Sequence, residues 1–320
     1  MSVVRRAADE LARHAGFADT RAGQTSLIVT ELATNILKHA QRGEILLTQC
    51  RAGSRRGVEV LAVDWGAGFR NVDAALSDGY SSAGTLGQGL GAVRRIADEF
   101  EVFSQATKGA VVFARIWVDA GAPDRPAFQV GGISIAKTGE VMCGDQWSAE
   151  VGRHHAAMIV ADGLGHGPIA AEASIAAINV FERDPMRSPT ATLEEVHQAL
   201  RPTRGAAVGI AAIEFERDIA VFAGLGNITA AIVSGSVRRS LVSQNGTAGH
   251  VARRLQEFTY PMPPASALVL HSDGLTTHWD PGGNQDLWLR HPSIIAGALY
   301  RDCSRRRDDV TVVVGTRRRE

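Results

Sequence analysis

Glu31 and Asn35 stand four residues apart, and Asp64 closes the apolar run VEVLAVD at 58–64. On a helix that spacing puts the first two side chains on one face, with His39 extending the row by a further turn. An Asn carbonyl oxygen is a hard ligand suited to Mg2+, and a carboxylate beside it can accept a proton from an attacking hydroxyl. Asp64 opens the stretch DWGAG (64–68), where Gly66 and Gly68 let the backbone pass close to a ligand and an acceptor can recognise an adenine amino group. Gly84, Gly87, Gly89 and Gly91 then lead into AVRRIADEF, so free backbone N–H groups and the positive end of a helix face what lies in front of them. Phosphates suit that position, and a nucleotide pocket without a P-loop is the expectation.

A second set of residues suggests the opposite chemistry. Asp162 ends an apolar run and is followed by GLGHG, Asp273 repeats the pattern after ALVLHS, and Asp309 starts DVTVVVG. Asp145 follows Cys143-Gly144 after an expected strand. A single Asp-Gly is most often a turn, but four acids at strand ends are hard to dismiss that way. Carboxylates, with the bare carbonyl of Gly163 and no His/Cys spacing of the zinc type, favour Mg2+ or Mn2+. Two such ions about 3.5–4 Å apart can aim a hydroxide at phosphorus, so no protein nucleophile is needed. Asp308, the neighbour of Asp309, is expected to point the other way, with an offset of one between the two acids left open. His154 and His155 face opposite sides of a strand edge, and the Arg runs at 305–307 and 317–319 are most simply solvated ends. The first run lies just ahead of Asp308 and Asp309, and guanidinium groups pair well with phosphate.

The elements that must position these residues follow from periodicity. Leu27, Ile28, Leu32, Ile36 and Leu37 predict a buried helix from about Gly23 to Ala40. Strands are expected at 44–50, 58–64, 101–105 and 110–117, with a helix from about Gly89 to Phe100. DAGAPDRPAF (119–128) has the composition of a linker, with a join near residue 124. Beyond it, short apolar runs at 156–162, 206–215, 219–226, 229–235, 267–273 and 309–315 predict antiparallel sheets. Helices beginning at Pro168 and near Leu193 are expected to cover them.

A length of 320 residues points to two domains, each able to bury its own core. Lys+Arg and Asp+Glu balance at 34 each, so no whole-protein field draws the chain to nucleic acid or an acidic membrane. Three cysteines without a C-x-x-C pair suit a reduced compartment, and the cytoplasm is expected. The opening MSVVRRAADELARHAG mixes charges of both signs and reads as an amphipathic helix, not a secretory signal. No apolar run approaches the roughly 20 residues of a membrane span, so a soluble protein is expected.

Through ELATNILKH (31–39), DWGAG and GTLGQGLG (84–91), with DGY at 78–80, residues 1–118 resemble the GHKL ATPase superfamily, in particular the anti-sigma-factor and stressosome-type serine kinases. The resemblance implies ATP and Mg2+ as cofactors, Glu31 as catalytic base, Asn35 on Mg2+, Asp64 on adenine, and Gly87, Gly89 and Gly91 near the phosphates. Three departures stand out: no strand precedes the first helix, Ala67 replaces a usual proline, and Gly109-Ala110 replaces a usual Gly-Thr. Through CGD, VADGLGHG, GLGNITAAI, LHSDGL and RRDDVT, residues 125–320 resemble the PPM (PP2C-like) phosphatases of SpoIIE type. That likeness implies two Mg2+ or Mn2+ ions held by Asp145, Asp162, the Gly163 carbonyl, Asp273 and Asp309, with Asp162 bridging. Asn227 and His166 are left between structural and catalytic roles.

The combined expectation is an α/β (α+β) chain: a GHKL (Bergerat) sandwich at 1–120 followed by a PP2C-like αββα sandwich at 125–320. The implied function is a bifunctional switch of bacterial stress signalling, a serine kinase-like domain joined to a phosphoserine/phosphothreonine phosphatase. Its implied partner is a STAS-domain anti-sigma antagonist or stressosome-type phosphoprotein, with no nucleic acid and no membrane, and a homo-oligomer is allowed. The alternatives are a phosphatase whose N-terminal domain only binds nucleotide, and a module that sequesters a partner.

Overall fold

Alanines at 8, 12 and 15 recur at helical spacing, and α1 (Ser2–Ala15) buries all three. The computed structural model describes residues 2–53, 55–76, 89–119 and 127–317. Its contacts divide the chain into two units, Met1–Arg125 and Pro126–Glu320. No helix among the described residues is long and apolar enough to cross a membrane.

In the first unit, α2 (Asp19–Asn35) begins before the expected Gly23 and buries Ala22, Thr25, Ile28, Val29, Leu32 and Ala33. Leu27 and Leu37, expected in the core, are 44% and 63% exposed. The buried stripe runs instead through Ile28, Val29 and Leu32. After Asn35 the helix widens into a π-turn, Ile36–Ala40, where Gln41 N–H reaches back to the Ile36 carbonyl. Gln41 stops it in the left-handed region at φ 60°.

Four strands follow: β1 (Gly43–Ala52), β2 (Arg55–Asp64), then, after the short helix α3 (Val72–Leu76) and α4 (Gly89–Ile96), β3 (Glu99–Gln105) and β4 (Gly109–Trp117). They form one antiparallel sheet in the order β1-β2-β4-β3. Val58, Val60 and Ala62 alternate along β2, Val112, Ala114 and Ile116 along β4, and both sets pack with the helix residues in one core. The expected helix to Phe100 stops at Ile96, because Glu99–Gln105 is taken up in pairing with β4. Arg21 of α2 donates to both oxygens of Asp98, at 3.0 and 2.7 Å, and so fastens the helix to the turn before β3.

In the second unit, β5 (Phe128–Ile135) starts inside the stretch expected to be linker, and Phe128 is fully buried. Next come β6 (Asp145–Val151), β7 (His155–Gly163), α5 (Pro168–Arg183), α6 (Pro189–Ala199), β8 (Ala206–Glu214), β9 (Ile219–Leu225), β10 (Thr229–Ser234) and β11 (Val237–Leu241). The chain continues through the short β12 (Gly246–Thr247) and β13 (Val251–Ala252), then β14 (Phe258–Pro261), β15 (Ser266–His271), α7 (Pro292–Cys303) and β16 (Val310–Arg317).

Two five-stranded antiparallel sheets result, ordered β11-β10-β15-β16-β5 and β14-β9-β8-β7-β6. Met158, Val160 and Ala211 from one sheet and Ile232, Leu268 and Val313 from the other share a core. On the outer face of β7, Ala157, Ile159 and Ala161 pack with Ala177, Phe181 and Leu193 of α5 and α6. Helix α7 packs on β5 and β16. The architecture is αββα. Arg317, expected in a solvated tail, instead ion-pairs with Asp218 and donates to the Phe215 carbonyl at 2.7 Å.

Candidate functional site

Two groups of polar side chains lie at the ends of these elements. In the first unit, Glu31 and Asn35 are half-buried on the last turns of α2. The amide oxygen of Asn35 lies 3.8 Å from where a Cβ on Gly89 would sit, which brings the end of α2 to the first turn of α4. Gly91 is buried within α4. His39 does not continue the row, because the π-turn breaks the four-residue repeat and leaves it exposed.

Asp64 is the last residue of β2, and its Oδ1 accepts from the Gly66 N–H at 2.8 Å. A side chain at Gly109, whose φ is +101°, would run into the Asp64 carbonyl at 2.1 Å, so the β3–β4 turn presses directly on the backbone of the acid. A Cβ on Gly66 would lie 2.8 Å from Ala40 and one on Gly68 2.5 Å from the Gln105 carbonyl, so both glycines let the chain fold closely on itself beside Asp64. Gly84, Gly87 and DGY at 78–80 lie outside the described residues.

The second group is set by sheet register. Asp145 is the first residue of β6, not the end of a preceding strand as expected, and it pairs directly with Asp162 near the end of β7. Asp145 is 1% exposed, and hydroxyls of Ser272 and Thr311 act on its carboxyl. Burial first, and then the acids beside them, push both Asp145 and Asp162 above the usual carboxylate range. Asp273 lies two residues beyond β15 and is raised by burial and by Asp308, while Arg305 and the Asn227 amide act against the shift. Asn227 Nδ2 donates to Asp273 Oδ2 at 2.8 Å, and His166 Nδ1 meets Glu140 Oε1 at 2.6 Å.

The two adjacent acids before β16 differ sharply. Asp309 is 3% exposed, and its oxygens accept from Lys137 N–H at 2.7 Å and Gly144 N–H at 2.9 Å. Asp308 is exposed, and its charge acts on both Asp162 and Asp273. The charge of Asp309 in turn acts on Asp145, so each of the two neighbours reaches the acid group. Gly274 brings the two segments together, since a Cβ there would lie 1.9 Å from the Asp309 carbonyl. Gly163 is equally confined, with the Ala170 carbonyl 2.0 Å from its would-be Cβ. Ser272 and Thr311 escaped the sequence reading, although each is one or two residues from an acid.

The acids meet in pairs and not as a closed cage: among the described residues no three His, Cys, Asp or Glu side chains converge on one point. Open carboxylate pairs suit Mg2+, which keeps several waters and takes one or two carboxylates. Asp145 Oδ2 is buried with no hydrogen-bond partner. A buried, bare carboxylate oxygen beside a second acid needs a cation or a proton, so the donor set fits a divalent ion.

Residues 1–116 match the histidine kinase-like ATPase domain family. Residues 152–318 match the stage II sporulation protein E (SpoIIE) family. The chain belongs to the SpoIIE family. The match begins after Asp145, which sheet pairing nonetheless joins to the matched Asp162. The first unit is 32% identical over 108 residues to the serine/threonine-protein kinase RsbT of Bacillus subtilis, covering 34% of this chain and 81% of RsbT. The phosphoserine phosphatase RsbX of the same organism is 25% identical over 187 residues, covering 57% of this chain and 90% of RsbX. A crystal structure of RsbX in complex with magnesium superposes with a TM-score of 0.52 at 25% identity, over 59% of this chain and 94% of that one. This SpoIIE-family chain therefore joins a GHKL-type kinase-like ATPase domain to a PP2C-type serine/threonine phosphatase domain.

Proposed function

We propose that this chain both adds phosphate to and removes it from a serine or threonine of a STAS-type regulator in the cytoplasm, with the two activities in residues 1–120 and 125–320. The observation that carries the phosphatase assignment is the direct pairing of Asp145 with Asp162, beside Asp273 and Asp308, from four separated segments. Asp162, Asp273 and Asp308 would hold two Mg2+ or Mn2+ ions, with Gly163 contributing its carbonyl. When bound, such ions supply Lewis-acid activation of water and neutralise charge at the phosphoryl group.

Asp145, buried and paired with Asp162, would position that carboxylate and could offer its bare oxygen to the same cations. Asp309, first expected as a ligand, is reassigned: with both oxygens on backbone amides, it ties the segment before Asp145 in place. Asn227 orients Asp273 by engaging Oδ2. The magnesium complex of RsbX supports the choice of ion.

In the first unit, Glu31 would accept the proton of the attacking hydroxyl, Asn35 hold Mg2+, and Asp64 recognise adenine, with Gly66 and Gly68 shaping its turn. Gly87, Gly89 and Gly91 would face the phosphates of ATP. The proximity of Asn35 to Gly89 supports this arrangement, as does the likeness to RsbT. A phosphatase whose first unit only binds nucleotide remains the rival, favoured by Ala110, which is buried and carries no hydroxyl.

The test incubates purified protein with candidate STAS proteins, with labelled ATP to follow transfer and with their phosphorylated forms to follow release. Asp162→Asn should abolish release and Glu31→Ala transfer. Transfer undiminished in Glu31→Ala rejects the kinase assignment, and release undiminished in Asp162→Asn rejects the phosphatase site.

A further inference from the structure

Each of the two acid-glycine turns is hydrogen-bonded through its backbone to a loop that carries an exposed arginine. Leu164 N–H, next after Asp162-Gly163, donates to the Gly205 carbonyl at 3.0 Å, and the residue before Gly205 is Arg204. Arg305 N–H donates to the Gly274 carbonyl at 2.8 Å, directly after Asp273. Both loops are braced. Thr203 Oγ1 donates to the Leu200 carbonyl at 2.7 Å and accepts from Gly205 N–H at 3.0 Å. On the other side, Thr276 N–H bonds the Cys303 carbonyl at 3.0 Å, and Ser304 pairs with Leu275.

The side chains stay near the acids. Arg204 Nη1 lies 3.3 Å from the would-be Cβ of Gly165, over the loop that follows Asp162. The charge of Arg305 acts on Asp273. Neither guanidinium has an ion-pair partner among the described residues. Two unpaired guanidinium groups beside an acid cluster that needs cations have a ready use: they add donors for an anion that the ions alone would hold only by charge.

We propose that Arg204 and Arg305 are substrate-binding residues, gripping the phosphomonoester dianion of a phosphoserine or phosphothreonine from the two acid-bearing turns. The proposal rests on the phosphatase reading of the second unit and adds to it the groups that select the phosphoryl end of the substrate. Charge-assisted hydrogen bonds of this kind are worth roughly tenfold or more in affinity each.

The experiment measures inorganic phosphate binding by calorimetry with Mg2+ present, and KM on a phosphoserine peptide, for wild type, Arg204→Gln, Arg305→Gln and the two Arg→Lys variants. Each Gln variant should weaken phosphate binding and raise KM about tenfold, with part of the loss recovered by Lys, and with thermal melting unchanged. Phosphate affinity and KM equal to wild type in both Gln variants would overturn the proposal, as would wild type that binds no phosphate. Calorimetry needs no turnover. If wild type binds phosphate through these arginines but releases none from the peptide, the phosphatase reading fails while the anion grip stands.

Discussion

The two polar sites are assembled by different means. The Glu31–Asn35 pair is made by a single helix, and its spacing is a property of eight or so consecutive residues. The acid site has no such local origin: Asp145 meets Asp162 through the register of β6 with β7, and Asp273 meets Asp308 only because two distant strands are neighbours in the other sheet. The sites differ in solvation as well. Asp145 and Asp309 are almost wholly buried, whereas Glu31 and Asn35 keep part of their surface in water. A site built by long-range register can bury acids because the surrounding sheets hold them there. One built on a helix face stays open to a ligand that must come and go.

The sharpest way to break this contrast is Asp162→Asn. Phosphate release should fall roughly a thousandfold or more, about 4 kcal/mol of transition-state stabilisation, while label transfer from ATP persists in the same preparation. Glu31→Ala should do the reverse, with transfer down roughly a hundredfold, the usual size of a lost general base, and release intact. Differences in solvation predict a thermal effect. Saturating Mg2+ at a hundred times its Kd should stabilise wild type by about 2.7 kcal/mol, about 5–10 °C in melting temperature, and Asp162→Asn by much less, as followed by calorimetry.

Within the acid site, Asp308→Asn should weaken Mg2+ binding with little change in folding. Asp309→Asn should cost about 1–3 kcal/mol in denaturant unfolding through its two backbone partners. Reversed outcomes would restore Asp309 as the ligand. The smallest effect belongs to the first unit, where burial pushes the Cys50 thiol up to about 12, with Glu59 and Glu99 acting in the same direction and Arg115 against it. A thiol whose folded pKa is raised adds stability below its unfolded value near 9. That contribution is lost as pH climbs from there through 12. Cys50→Ala should flatten the alkaline side of the stability profile.

What could be read from the chain follows the same division. The Glu31–Asn35 face and the acids at 162 and 273 were legible because helix period, apolar runs and Asp-Gly turns are local signals. Between Asp308 and Asp309 the choice stayed open, because strand alternation says which way a residue points only inside a strand, and both lie just ahead of β16. The π-turn that displaces His39 has no sequence period of its own. Helix α7 went unseen for the opposite reason: ten of its twelve residues are buried, so no polar face marks its turn. The helix expected to reach Phe100 was cut short by pairing with β4, a partner that periodicity does not reveal.

The contact of Gly274 with the Asp309 carbonyl carries one more implication. It fixes the distance between two acid-bearing segments by main chain alone, so no choice of rotamer can widen or narrow the gap. If the acids hold metal ions as proposed, replacing the carboxylates by longer or softer donors should alter which metal is preferred while leaving the frame unmoved. That makes this cleft a suitable chassis for retuning ion selectivity one side chain at a time.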